Sequence, residues 1–271
     1  MKRALALLFL LGAAFVALGY WNAVQDPLVR EARLALPGWP KDAKPLRVAL
    51  VSDIHAQGPD MTPARVARLM EQVNAQHPDL ILLAGDLTGD RDLATSHYTP
   101  DEIAGALAGL RAPLGVWAVL GNHDHWADAP AMRRALEARN IHVLANSAAR
   151  VGPLTLAGAD DAHSRHDNIP ATDRAAAALP GPLLLLTHSP DLIPRLPSRF
   201  GLVFAGHTHC GQAVLPLIGT LVSSSRYGKR YECGLIHEGG RTIVVTSGLG
   251  TSVVPLRYGA PPDFWLVTLG G

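Results

Sequence analysis

Five short clusters in this 271-residue chain bring together carboxylate, amide and imidazole groups. They are Asp53-Ile54-His55, Gly85-Asp86, Gly121-Asn122-His123-Asp124, Thr187-His188 and Gly206-His207-Thr208-His209. The candidate metal ligands among them are Asp53, His55, Asp86, Asn122, His188, His207 and His209. That set of two carboxylates, one amide oxygen and four imidazoles suits borderline divalent ions such as Mn, Fe or Zn. It fits neither a thiolate zinc site nor an all-oxygen calcium site. Seven ligands exceed what one tetrahedral ion accepts and suffice for two ions if a carboxylate bridges them. Asp-x-His suits a shared metal because residues i and i+2 of an extended segment point the same way, and Gly-His-Thr-His repeats that spacing. The glycines before Asp86, Asn122 and His207 would let the backbone turn sharply at a crowded centre.

The elements that must position these groups are legible as apolar runs. Arg47–Ser52, Leu80–Ala84, Val116–Leu120, Leu183–Thr187 and Leu202–Ala205 read as buried strands, and each leads into one of the clusters. Helical stretches fall near Thr62–Ala75, Asp101–Leu110 and Ala129–Arg139, the first opened by Thr62-Pro63 as N-cap and first turn. Alternating strand and helix implies a largely parallel sheet in an α/β layered domain. In such sheets ligands bind outside the carboxyl ends of the strands, so the five clusters converge on one crevice. Tyr231–His237, Thr242–Thr246 and Phe264–Leu269 predict a second, more antiparallel sheet packed on the first. The expected architecture is an αββα sandwich of two mixed sheets flanked by helices.

A formal charge of +1, from 24 Lys+Arg and 23 Asp+Glu, advertises no nucleic-acid surface, so no nucleic-acid partner is expected. Cys210 and Cys233 are too few for a disulfide framework. They read either as one bridge outside the cytoplasm or as two free thiols. Met1-Lys2-Arg3 precedes an uncharged run from Ala4 to Trp21, which at roughly 1.5 Å per residue reaches about 27 Å, near the hydrocarbon thickness. We read residues 1–22 as a transmembrane signal-anchor, 23–46 as a Pro-bearing linker and 47–271 as the catalytic domain. A short amphipathic helix over Pro27–Leu36 is compatible with the linker. A cleaved signal peptide is the alternative, although the run is long for an h-region and no clean Ala-x-Ala site follows. Lys2 and Arg3 place the N-terminus in the cytoplasm and the domain on the periplasmic or extracytoplasmic side of the inner (cell) membrane.

In this order the five clusters resemble the signature of the calcineurin-like metallophosphoesterases, over about residues 47 to 210. The resemblance implies that Asp53, His55 and His209 bind one metal, that Asp86 bridges, and that Asn122, His188 and His207 complete the second. It further implies in-line attack by a hydroxide held between two divalent ions, with His123 as the catalytic group that stabilises the transition state or protonates the leaving oxygen. Many relatives carry Gly-Asp-x-x-Asp, whose second Asp orients that histidine; here Gly89 holds the position. Asp90 or Asp124 is left for the role. The string Phe204–Gln212, with the anchor, is similar to membrane-associated bacterial phosphodiesterases that include enzymes of the UDP-2,3-diacylglucosamine pyrophosphohydrolase type. A phosphodiester or pyrophosphate in a lipid-linked or cell-envelope substrate is therefore expected, and no protein partner is evident. Competing readings are a phosphomonoesterase or nuclease of the same fold, or a non-catalytic membrane-tethered metal-binding protein.

The other histidines get a plainer reading. His77, His97, His142, His166 and His237 are taken as ordinary core or surface imidazoles, whereas His125 and His163 are placed near the substrate pocket without a metal role. Ser223–Arg230, with Arg226, Tyr227, Lys229 and Arg230, reads as a solvated loop, with an anionic clamp as the minority alternative that also includes Arg257.

Overall fold

The computed structural model describes residues 1–271. It opens with helix α1 (Lys2–Ala23), then β1 (Leu28–Ala35), β2 (Leu46–Val51), α2 (Pro63–Asn74), β3 (Leu80–Ala84), α3 (Pro100–Leu107) and β4 (Val116–Val119). The short α4 (Asn122–Ala127) and α5 (Ala129–Glu137) follow, then β5 (Ile141–Val143), β6 (Ser147–Val151), β7 (Leu154–Gly158) and α6 (Ile169–Ala177). The remaining strands are β8 (Leu183–Leu186), β9 (Leu202–Ala205), β10 (Val214–Leu215), β11 (Gly219–Thr220), β12 (Gly234–Glu238), β13 (Arg241–Val245) and β14 (Asp263–Gly270).

Two six-stranded mixed sheets form the middle of the molecule, in the orders β1-β14-β2-β3-β4-β5 and β12-β13-β9-β8-β7-β6. Period-2 alternation divides each strand between two cores. Leu50, Leu82 and Val267 of the first sheet meet Leu156, Leu186 and Phe204 of the second in the inter-sheet core. On the outer face of the first sheet Val51, Ile81 and Leu83 pack against Val66, Leu69, Leu107 and Leu136 of the helices. Leu185, Val203 and Ile243 of the second sheet pack beneath Ala176, Leu192 and Tyr231. The layers are thus αββα. Local capping fixes the helix starts: Thr62 caps α2 ahead of Pro63, and Thr99 with Glu102 forms a capping box on α3.

Three expectations need correction. Phe264–Leu269 does not join the second sheet: β14 runs antiparallel to β2 and parallel to β1, inside the first sheet. The second sheet is consequently mixed, with β7, β8, β9 and β13 parallel in succession and antiparallel pairs only at its edges. Finally, residues 28–35, inside the stretch read as a linker with a short helix, form the edge strand β1. Ala32 and Leu34 pack on the inter-sheet core, and Arg30 pairs with Asp263 at 3.3 Å. With only two inward side chains, both modest in size, the period-2 signal was too weak to compete with a helical reading.

Helix α1 is long and apolar enough to cross a membrane and is almost wholly exposed. Only its C-terminal part touches the domain. Arg257 N–H donates to Gly19 O at 2.9 Å, Tyr258 Oη donates to Phe15 O at 2.7 Å, and the Phe15 and Tyr258 rings stack at 4.4 Å.

Candidate metal centre

The site is built where strands stop. Beyond β2, Asp53 and His55 have φ of +51° and +45°; beyond β3, Asp86 has +52°; beyond β9, His207 and His209 have +69° and +50°. These segments are therefore not extended, and the i, i+2 alternation expected for Asp-x-His and His-x-His is not what aligns the side chains. Each is swung inward by a left-handed residue, a conformation that costs on the order of 1–3 kcal/mol and is held by its surroundings. Backbone bonds from Asp53 N to Gly85 O and from His55 N to Asp86 O, both 3.0 Å, lock the first two strand ends together. The glycines also divide by role. Only Gly85 makes a left-handed turn, at φ +85°. Gly121 and Gly206 are needed for space, since a Cβ would run into the Asp86 carboxylate at the former and into Ser52 and Asp53 at the latter.

All seven candidate ligands are buried and converge. Asp53, His55 and His209 form one group able to hold a metal, and Asp86, His188 and His207 a second. His55 Nε2 and His209 Nε2 stand 3.0 Å apart, with Asp53 Oδ1 3.4 Å from His209 Nε2. In the other group His188 Nε2 lies 3.1 Å from Asp86 Oδ2, 3.2 Å from Asn122 Oδ1 and 3.1 Å from His207 Nδ1. Asp86 Oδ2 is the hub, since it is also 3.6 Å from His55 Nε2. His188 Nδ1 donates to Ala84 O at 2.7 Å, which turns its Nε2 toward the centre.

This donor set fits divalent cations. Two buried carboxylates sit together and neither pairs with Lys or Arg, only with histidines. Burying two neighbouring carboxylates is costly, and divalent ions held between them would offset that cost. Burial and its neighbours raise the Asp53 carboxyl to about 6. Burial lowers His207 to about 4 and holds His55 and His209 well below the usual histidine range, so these rings stay neutral. Neutral imidazole is the metal-binding form.

Beside the hub stands His123, on the first turn of α4. Its backbone N–H donates to Asp86 Oδ1 at 2.9 Å, and its Nε2 lies 3.9 Å from Asp86 Oδ2. Its Nδ1 is held by Asp90 Oδ1 at 2.5 Å. Asp124, the other residue considered for that role, instead accepts from the backbone of Gly121, Leu87 and Thr88. At Gly89 a Cβ would strike the Gln57 side chain. The loop then carries Asp90 into place and is pinned by Arg91, a buried residue that pairs with Asp60 and donates to Thr251 Oγ1 at 2.7 Å.

Sequence reasoning missed Trp126, whereas it had already placed His163 near the pocket. Trp126 packs edge-on to His123 at 4.8 Å and to His163 at 5.8 Å, and His163 lies 4.7 Å from His207. His163 thus lies at the site, while His125 is held by Asp160 at 2.7 Å and stacks on His166. The anionic-clamp alternative fails for Arg257, which is fully buried and engaged by Gly250 O, Ser247 O and Ala260 O, with Nη2 3.3 Å from His209 Nδ1. Its guanidinium lies behind that histidine. Arg230 is likewise consumed by Glu238, with two contacts of 2.7 Å. Cys210 and Cys233, for which a bridge and free thiols were both open, are joined by a disulfide directly after His209.

An αββα sandwich with two abutting Asp/His clusters at the strand ends is the build of a metallophosphoesterase. The chain belongs to the calcineurin-like phosphoesterase family, whose model matches residues 46–211. A transmembrane protein with a metallophosphoesterase domain from Danio rerio is 30% identical, over 98% of this chain and 63% of that protein. A metallophosphoesterase of Bacillus subtilis is 32% identical, over 73% of this chain and 70% of its own length. The chain spans between 45% and 64% of the length of three of the curated relatives it matches. Among solved structures, a 5'-nucleotidase precursor from Thermus thermophilus aligns with a TM-score of 0.45 at 14% identity, over 83% of this chain and 55% of that one.

Proposed function

We propose that this chain is a metal-dependent hydrolase of phosphoric esters, and that Asp53, His55 and His209 hold one divalent ion while Asn122, His188 and His207 hold a second, with Asp86 between them. The observation that carries this reading is the hub position of Asp86, within 3.1 Å of His188 and 3.6 Å of His55. Ions bound there supply Lewis-acid stabilisation of phosphoryl charge and lower the pKa of water. The chain's own residues do the rest. Asp90 accepts from His123 Nδ1 and fixes the ring, so Nε2 faces the centre and can deliver a proton to the leaving oxygen. Trp126 and His163 wall the same side and bound the space for the leaving group.

The bond cleaved is, in this proposal, a phosphodiester or pyrophosphate of a lipid-linked or cell-envelope substrate. Support comes from α1, which docks on the Arg257 backbone while the Arg257 side chain touches His209. The domain lies on the extracytoplasmic side. Lys2 and Arg3 before α1 support that orientation, as does the disulfide, which persists in oxidising compartments. The test is phosphorus NMR of Mn²⁺-loaded protein with a phosphomonoester, an aryl phosphodiester and a nucleotide-lipid pyrophosphate. Turnover of the diester or pyrophosphate is expected. Cleavage of the monoester alone would overturn the substrate class, and cleavage of none would overturn the hydrolase reading.

A further inference from the structure

Two exposed apolar loops are tied to one another, and the second borders α1. The first is the β10–β11 hairpin and its continuation, with Leu217 and Ile218 at the tip and Leu221 and Val222 after it, all exposed. The second is residues 252–256, where Val253 exposes 80% of its surface. Gln212 joins them: its Oε1 accepts from Ser252 N at 2.9 Å and its Nε2 donates to Val254 O at 3.0 Å and Leu256 O at 3.1 Å. Val214 N donates to Tyr258 O at 2.7 Å, so hairpin and loop move as one piece. That piece is fixed to α1 through Tyr258 and Arg257.

The depth of the 252–256 loop follows from the helix. Pro255 and Leu256 face Phe9, Ala13, Val16 and Tyr20 across an apolar groove. Phe9 to Tyr20 is about 16 Å of helix at about 1.5 Å per residue. Whatever lies alongside that stretch shares its depth. If α1 crosses a bilayer of about 30 Å hydrocarbon, the 252–256 loop is below the headgroups. Irregular backbone survives there only if its polar groups are satisfied within the protein, and the Gln212 amide does that for three of them. Exposed Arg226 and Lys229 flank the hairpin, the Lys229 ammonium lying next to Gly219; long basic side chains beside an inserted tip extend back to anionic headgroups.

We infer that the 214–222 hairpin and the 252–256 loop form a second, monotopic membrane contact that inserts into the outer acyl layer beside α1. The occupant of the apolar groove is lipid. Because His209 lies three residues before Gln212, this contact ties the metal centre to the bilayer surface and holds it at headgroup level. The inference rests on α1 lying in a bilayer and does not depend on the proposed hydrolysis.

The test uses full-length protein in phosphatidylcholine/phosphatidylglycerol vesicles, carrying an environment-sensitive fluorophore on Ile218→Cys or Val253→Cys. Both native cysteines are disulfide-bonded and silent. Leu10→Cys reports on α1, and His77→Cys, on an exposed turn at the opposite end of the strands, reports the aqueous baseline. Labels at 218 and 253 are expected to blue-shift, to be quenched by nitroxide on the acyl chains as at position 10, and to resist aqueous iodide. Iodide-accessible labels at 218 and 253 with a lipid-quenched label at 10 would overturn the insertion while leaving the anchor intact. Protection from iodide without lipid quenching would mean a protein neighbour and would also overturn it. A label at 10 that escapes lipid quenching would remove the basis in α1 itself.

Discussion

Asp90 Oδ1 receives the Nδ1 hydrogen of His123 across 2.5 Å, linking the loop after β3 to the first turn of α4, 33 residues on in the chain. Asp90 touches no candidate ligand, so its influence passes through the imidazole it holds. Asp90→Ala is expected to lower kcat by about 10–100-fold, the usual cost of losing an orienting partner. His123→Ala should cost about 10²–10⁴-fold. The double variant should be no slower than His123→Ala, because two residues acting as a unit are not additive. Steady-state kinetics with metal content measured in parallel decides this. Fully additive losses, or a change in KM alone, would count against the assignment.

Asp86→Ala removes the carboxylate that lies between His188 and His55 and the acceptor for the His123 backbone N–H. Turnover with Mn²⁺ should fall to background and bound metal should drop. A stability signature should accompany it. A ligand at about 100 times its Kd stabilises the native state by about 2.7 kcal/mol. Thermal melts of the wild type should therefore rise on adding Mn²⁺, and those of Asp86→Ala should barely move. Wild-type turnover in the variant would sink the two-ion proposal.

The five clusters were legible because each is local: a buried apolar run, a glycine or polar break, then the ligating side chain. What aligns them was not. Aspartate and histidine tolerate a left-handed φ better than most residues, yet usually avoid it, so the residue types alone do not announce that conformation at Asp53, His55, His207 and His209. Trp126 and His163 reach the site from α4 and from the loop after β7, an encounter that only the sandwich creates. Asp90 was one of two candidates, and the choice depended on the backbone amides that saturate Asp124. Likewise β14 reads correctly as a strand, but nothing in its sequence says that it enters the first sheet between β1 and β2.

Gly121→Ala should behave unlike an ordinary glycine substitution. Its φ of −104° suits any residue, so the backbone itself is not the obstacle. The new methyl would meet the Asp86 carboxylate and the Asp86 backbone N–H, displacing the hub. Overpacking of this kind costs about 1–3 kcal/mol. We expect a lower Tm together with reduced Mn²⁺ binding. Gly109→Ala, where a Cβ meets nothing within 4 Å, serves as the neutral control. Equal Tm and metal affinity for the two variants would show that Gly121 is not required for space.

Reduction of Cys210–Cys233 should act on the metal centre as well as on stability. The bridge closes a separation of 23 residues and begins at the residue after His209, where Cys210, Gly211 and Gln212 all hold positive φ. Losing a disulfide typically costs about 2–4 kcal/mol, mainly by freeing the unfolded chain. That global effect would leave native-state metal affinity unchanged. The local geometry predicts more, because the disulfide restrains a run of left-handed residues that includes a ligand. Thr208 Oγ1 donating to Glu232 O at 2.6 Å would be the remaining tie between the two segments. Cys233→Ser should therefore lower the Tm and also weaken Mn²⁺ binding by isothermal titration. A lower Tm with unaltered binding would restrict the bridge to stabilising the fold.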